Sequence, residues 1–307
     1  MKKALVTTGI LLIMLGFVFL YRKEIAFAFN KYFLNKVIKV NTVVTLDKKN
    51  SYYRNKNYNY VQQTTSFVPE NKQDLLNIYY TIINSGEKSF SFYCPKDYEN
   101  CLNDVKAIAN NQTTLSDINN FVHPFNGFTH ISTEYDPFGK VKLHVHKTYT
   151  NAEIKKIEEK IDDITKEVIK DNMSTRDKIK AFHDYVINHS KYDSLKSDQG
   201  IDKYHSDTAI GTLFEGYSLC GGYTDTMAIF LNKIGVNNYK VSSENHIWNA
   251  VELDGSWYHL DLTWDDPVAT DGSDILDHSF FLINTTELEK KEVTQHDFNS
   301  NVFSEVY

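Results

Sequence analysis

Cys220 is the cysteine whose neighbours suggest reactivity. It lies in Tyr217-Ser218-Leu219-Cys220-Gly221-Gly222-Tyr223, after which Tyr223, Met227, Phe230, Leu231 and Ile234 recur at helical spacing as far as Gly235. The pattern predicts a buried helix with Cys220 in its first turn and Ser218 as N-cap. At that end the helix dipole and unpaired N–H groups favour an anion, and the thiolate is the nucleophilic form of cysteine. Gly221 and Gly222 make a poor helix interior but leave room for a substrate to approach the sulfur. Taken alone, the segment equally suits a small buried cysteine.

A base and its orienting acid follow in HIWNAVELDGSWYHLDLTWDDP, which reads as two alternating strands joined by Asp254-Gly255. A two-residue turn there pairs Leu253 with Ser256, Trp248 with Asp261 and His246 with Thr263. His246, Trp248, Asp261 and Thr263 then share one face, and His246 and Asp261 are diagonal neighbours about 7 Å apart. A carboxylate so placed holds an imidazole with one nitrogen free for a nucleophile. The alternative is a His–Asp couple serving stability alone, yet burying both groups costs several kcal/mol unless they are paired.

Cys220-Gly221-Gly222-Tyr223, then His246-Ile247-Trp248-Asn249, then Trp257 to Pro267 (WYHLDLTWDDP) together resemble the bacterial transglutaminase-like family over about residues 175–285. The resemblance implies an α+β fold with a papain-like core, in which a helix bearing the cysteine faces an antiparallel sheet supplying His and then Asp. It implies Cys220 as nucleophile, His246 as base and Asp261 as orienter. A thiolate attack on a protein or peptide carboxamide would give a thioester, resolved by an amine as cross-linking or by water as hydrolysis. The same triad serves a cysteine peptidase or amidase. A catalytically inactive, anchored binding module is the reading from another class. The Cys220 N–H is one expected oxyanion donor, and Tyr204 or His205 is a candidate for the second, since no Trp precedes Trp248. No cofactor and no metal requirement are expected.

The remaining candidates read as structural. Asp265-Asp266 suits the cap of a turn before Pro267, and His278 and His296 read as surface residues rather than cleft residues. His144 and His146 share a strand face, which could hold a metal, but spacing marks no third ligand and a solvated face is expected.

The elements that position these residues divide the chain. Residues 149–307 form the expected catalytic domain, with amphipathic helices over 150–172 and Thr175–His189. Residues 65–148 form a small α+β unit of unassigned role: a helix opening at 71–74 and ending at Gly86, a strand at Ser89–Tyr93, a helical pattern from Cys101 to Ile108, and a strand with Val141, Leu143 and Val145 inward. Residues 25–64, including DKKNSYYRNKNYNYVQQ at 47–63, read as a linker or stalk. Residues 1–24 hold an 18-residue apolar run, Ala4 to Tyr21, behind Lys2 and Lys3. At about 1.5 Å per residue it spans roughly 27 Å, enough for a membrane anchor or signal segment. Cleavage after Ala28 is conceivable, but Arg22, Lys23 and Glu24 intervene. A single-pass membrane protein with an extracytoplasmic body is the expectation, although flanking charges point both ways.

Bulk composition narrows the partners. The 307 residues are 41% hydrophobic, a folded-protein value, and a net charge of −7 argues against nucleic acid, which needs a basic surface. Three cysteines make no disulfide framework. Cys94 and Cys101, seven apart, could pair in an exported chain or remain buried thiols.

Overall fold

The computed structural model describes residues 21–29, 45–46, 48–268, 275–291 and 294–307. It divides into two compact units, Met1–Val44 with Asp136–Phe138, and Thr45–Tyr135 with Gly139–Tyr307. The first contains helix α1 (Arg22–Phe29). Most of the expected membrane segment, residues 1–24, lies outside the described residues, and among the described residues no helix is long and apolar enough to cross a membrane.

The second unit begins where a linker was expected, and residues 48–63 are packed rather than extended into solvent. Arg54 donates to the Asn238 carbonyl at 2.8 Å and the Phe121 carbonyl at 3.2 Å. Tyr58 is buried against Phe121 and Tyr239. The tyrosines of this stretch supply the apolar surface that its few aliphatic side chains do not.

Helix α2 (Lys72–Ser85) is capped by the Asn71 side chain, which accepts from the Asp74 N–H, and stops at Gly86 in the left-handed region. Strand β1 (Ser89–Tyr93), helices α3 (Cys101–Ala109) and α4 (Gln112–Asn120), and strands β2 (Phe128–Tyr135) and β3 (Lys140–Lys147) follow. The strands form an antiparallel sheet in the order β1-β3-β2, with Val141, Leu143 and Val145 inward. Cys94 and Cys101 are joined as a disulfide between the end of β1 and the start of α3.

Helix α5 (Asn151–Val168) opens with a capping box of Thr150 and Glu153, and α6 (Thr175–His189) with a Ser174 cap. Then come β4 (Lys191–Tyr192), α7 (Ser194–Gln199), a π-turn at Gly211–Glu215, and β5 (Tyr217–Ser218), parallel to β4. Helix α8 (Cys220–Lys233) leads into the antiparallel sheet β6 (Asn238–Ser242), β7 (Ile247–Leu253) and β8 (Ser256–Leu260), with α9 (Thr285–Glu289) beyond.

Strand alternation gives this second sheet two distinct faces. Lys240, Asn249, Val251, Leu253 and Leu260 turn toward α8, whose Met227 and Phe230 share a core with Ile157, Ile161, Ile179 and Phe182. Tyr239, Val241, Trp248 and His259 turn the other way, where Phe121, Phe298 and Phe303 cover them. On the α8 side, Lys240 donates to Asp225 at 2.9 Å, and Tyr149 donates to the same carboxylate at 2.8 Å while accepting from the Ala209 N–H. This charge pair sets the depth at which α8 lies on the sheet.

Lys240→Met should therefore strand Asp225 as a buried charge and lower unfolding free energy by about 3–5 kcal/mol, measured by urea denaturation.

Candidate active site

Cys220 is the first residue of α8 and is half-buried, and it is the free cysteine among the described residues. The N-cap residue is Leu219, in extended backbone, and no side chain caps the helix. Ser218, expected in that role, instead shares a hydrogen bond with Thr212 at 2.8 Å and donates to the Leu219 carbonyl. The helix start is held by its backbone, with the Leu219 N–H donating to the Ser206 carbonyl at 2.8 Å. The first-turn N–H groups are thus left uncapped by any side chain, as an anion site at a helix N-terminus requires.

The two glycines make room for this approach of the backbone. A Cβ on Gly222 would lie 2.3 Å from the Ser206 carbonyl oxygen, and one on Gly221 would lie 2.9 Å from the Asp207 carbonyl oxygen. The strand of chain at 206–207 can cross the helix start only because both side chains are absent.

The hairpin has the register that Asp254-Gly255 dictates: Leu253 faces Ser256, and pairing continues to Asn249 opposite Leu260. Asp254 and Gly255 have φ of 51° and 80°, the left-handed pair of a type I′ turn. The ladder ends at Leu260, so Thr263 does not pair with His246 as expected. The Asp261 carboxylate turns the chain instead, its Oδ1 accepting from the N–H groups of Thr263 at 2.9 Å and Trp264 at 3.3 Å.

His246 and Asp261 come together as the turn chemistry requires. His246 Nε2 donates to Asp261 Oδ2 at 2.5 Å, with both side chains buried. The imidazole also interacts with the Cys220 thiol, which favours its protonated form. Since Nε2 is committed to Asp261, Nδ1 is the nitrogen left for the thiol. Burial disfavours the imidazolium, but the Asp261 charge, its hydrogen bond and the Cys220 contact outweigh this and raise His246 to about 10. Burial alone would raise Asp261; the charge and hydrogen bond of His246, with a further bond from His296, hold it far below the usual carboxylate range.

That further bond was not legible in the sequence. His296, read as a surface residue, is buried and donates from Nε2 to Asp261 Oδ2 at 2.8 Å. It stacks on Phe280 and meets Trp248 edge-on. No periodicity or turn signal links positions 35 apart in the chain. His278 is half-buried, 2.7 Å from Asp184.

Asp265 and Asp266 are likewise more than turn caps. Asp265 is fully buried, 3.0 Å from His183 Nε2 and accepting from the Phe280 N–H at 2.8 Å. Asp266 accepts from the Tyr223 hydroxyl, tying α8, three residues past Cys220, to the loop after Asp261. Of the candidates for a second oxyanion donor, Tyr204 stacks on Tyr217 and His205 is exposed and paired with Glu215 at 2.8 Å; neither contact involves Cys220. His146 stacks on His130 and His144 lies 3.4 Å from Glu134, on the solvated strand face expected for them. Among the described residues, His183, Asp184 and His278 also converge, but the Lys180 ammonium stands among them, 2.6 Å from Asp184 and 2.9 Å from His278.

Two outcomes follow from this geometry. Cys220 should react quickly with iodoacetamide at about pH 6–7, and His246→Ala should slow that reaction about tenfold or more, read by mass spectrometry. The folded pKa of His246 is raised from an unfolded value of about 6.5. Its contribution to stability is therefore complete below that pH and lost as pH rises toward about 10. Denaturation across pH 6–10 should show stability declining in the native protein and declining less in His246→Ala.

The model of the transglutaminase-like superfamily matches residues 162–262, a segment that contains Cys220, His246 and Asp261. No curated protein matches the chain. Among solved structures, a crystal structure of a TGase is similar at 22% identity and a TM-score of 0.34, over 45% of this chain and 44% of that one. A candidate cysteine protease from Cytophaga hutchinsonii is similar at 13% identity and a TM-score of 0.28, over 50% of this chain and 69% of that one. The present chain thus spans less than half the length of the TGase, and the chemical reading rests on the family match and the site's own geometry. With its cysteine at a helix start and its His–Asp hairpin, the segment 162–262 matches the transglutaminase-like superfamily.

Proposed function

We propose that the chain catalyses cysteine-dependent acyl transfer on protein or peptide carboxamides through a thioester. The observation that carries this reading is the continuous contact from Cys220 through His246 to Asp261. In this scheme the Cys220 thiolate attacks the carboxamide carbon, and the carbonyl electron pair moves to oxygen. That oxyanion forms beside the helix start, where the Cys220 N–H is a donor. As the carbonyl re-forms, the C–N bond breaks and the leaving ammonia or amine takes a proton from the His246 imidazolium. Attack of an acceptor amine on the thioester returns a proton to His246, expels the thiolate and leaves a new amide; water in its place gives hydrolysis. Asp261 holds the imidazole by Nε2 throughout, which leaves Nδ1 for the sulfur.

A membrane-anchored placement with the body outside the cytoplasm accompanies the proposal. Its supports are the apolar run from Ala4 to Tyr21 and the Cys94–Cys101 disulfide, a bond that persists in oxidising compartments. Surface or cell-wall proteins would then be the natural substrates.

The test is to incubate the detergent-solubilised full chain with a glutamine-containing peptide and a fluorescent primary amine, beside Cys220→Ala. Incorporation of the amine by the native chain alone is the expected result. Ammonia release without incorporation would make the enzyme an amidase, and peptide-bond cleavage a peptidase. No reaction of any kind, with alkylation indifferent to His246, would leave an inactive binding module.

A further inference from the structure

Asp261 carries two imidazoles on one oxygen. His246 Nε2 lies at 2.5 Å from Oδ2 and His296 Nε2 at 2.8 Å, while Oδ1 takes two backbone N–H groups. A carboxylate offers about four lone-pair sites, and here all four are filled by donors. An ionised Asp261 is thus fully satisfied, and a protonated one would have to break a bond. The two histidines are not equivalent. His246 reaches Cys220 on its other side; His296 Nδ1 is buried with no partner among the described residues. Because Nε2 faces an acceptor, it carries the proton. A second proton on His296 would bury a donor with nothing among the described residues to receive it.

We infer that His296 is a positioning residue for the triad: a neutral imidazole that donates to the Asp261 carboxylate and limits how strongly that carboxylate holds the proton of His246. The inference rests on the acyl-transfer reading of the site. Its physical basis is competition for one oxygen. Each donor on Oδ2 withdraws charge that would otherwise stabilise the His246 imidazolium. A base that must release its proton to a leaving amine gains from this, because an imidazolium held too tightly is a poor acid. Orientation does not depend on His296, since the Thr263 and Trp264 N–H groups already anchor Oδ1. The effect is therefore on proton affinity. The titratable groups around the pair are Asp261 between the two rings, Cys220 beyond His246, His259 beside His296, and Asp265 behind Asp261. Burial holds His259 down at about 3, and it accepts from the Trp248 indole at Nδ1, so it adds no charge at neutral pH.

The experiment is the pH profile of Cys220 alkylation by iodoacetate, on the detergent-solubilised full chain. The reagent is an anion, so its rate falls when the neighbouring imidazolium loses its proton, and the alkaline limb reports His246. His296→Phe keeps a ring against Phe280 and Trp248 but removes the donor; it should move that limb up by about 0.5–1 pH unit. His296→Gln, whose amide can still donate to Oδ2, should stay within about 0.2 unit of the native profile. A His296→Phe limb that coincides with the native one, or moves down, would overturn the inference in favour of packing alone. Because His296→Phe could fold poorly, nitrogen-15 spectra of histidine-labelled native chain give a second reading, with His296→Gln assigning the signal. A neutral ring protonated at Nε2 is expected at pH 7, and an imidazolium or an Nδ1–H tautomer would reject the proposal. His246→Ala separates the two levels: if its profile matches the native one, the triad itself fails, whatever His296 does.

Discussion

A carboxylate with 2% of its surface exposed has to be compensated on every side, because an isolated buried charge costs several kcal/mol or more. Asp261 is that group, and much of the local structure is arranged around it. Its position as the first residue after β8 lets Oδ1 collect the next backbone N–H groups and bend the chain away from the ladder. The bend brings Asp265 and Asp266 inward, where they meet His183 on α6 and Tyr223 on α8. Oδ2 is left for the imidazoles. The compensation of one charge therefore connects the sheet, two helices and the C-terminal segment that brings His296.

The cysteine arrives by a separate route. Helix α8 covers the face of the sheet opposite to the one on which Trp248 and His259 lie, so strand alternation does not by itself bring Cys220 to His246. They meet because His246 and Asp261 stand just beyond the last paired residues, at the end of the sheet where the first turn of α8 emerges. Sliding α8 by even one turn, about 5.4 Å, would separate them. Three contacts oppose such a slide: the Lys240–Asp225–Tyr149 cluster, the Tyr223–Asp266 bond, and the crossing of 206–207 over Gly221 and Gly222. The site is accurate because these restraints act on different sides of one helix.

The aromatic residues do comparable work on the opposite face. Tyr58, from a stretch poor in aliphatics, joins Phe121 and Tyr239, and Phe303 from the C-terminal segment stacks on the same group. The sheet that positions His246 and Asp261 is thereby buried on both sides, with Trp248 among its largest fully buried side chains. Residues remote in sequence from the triad thus control how rigidly the hairpin is held.

Local rules were enough for everything whose cause is local. The period of Tyr223, Met227 and Phe230 located α8, Asp254-Gly255 determined the hairpin register, and that register pointed His246 and Asp261 to the same end of the hairpin. The helices at Lys72–Ser85 and Thr175–His189 were legible from their periodicity, and the first also from its opening at 71–74 and its stop at Gly86, since those forces act within four residues along the chain. What lay beyond local reach was every contact between segments without a common period. The packing of residues 48–63, the burial of His296 against Asp261, the inward turn of Asp265 and Asp266, and the crossing of 206–207 over Gly221 and Gly222 all belong to this class. Each depends on which surfaces remain to be covered once helices and strands have formed. A buried charge accepts whatever donor the assembled fold brings within about 3 Å, and only the tertiary structure decides which residue that is.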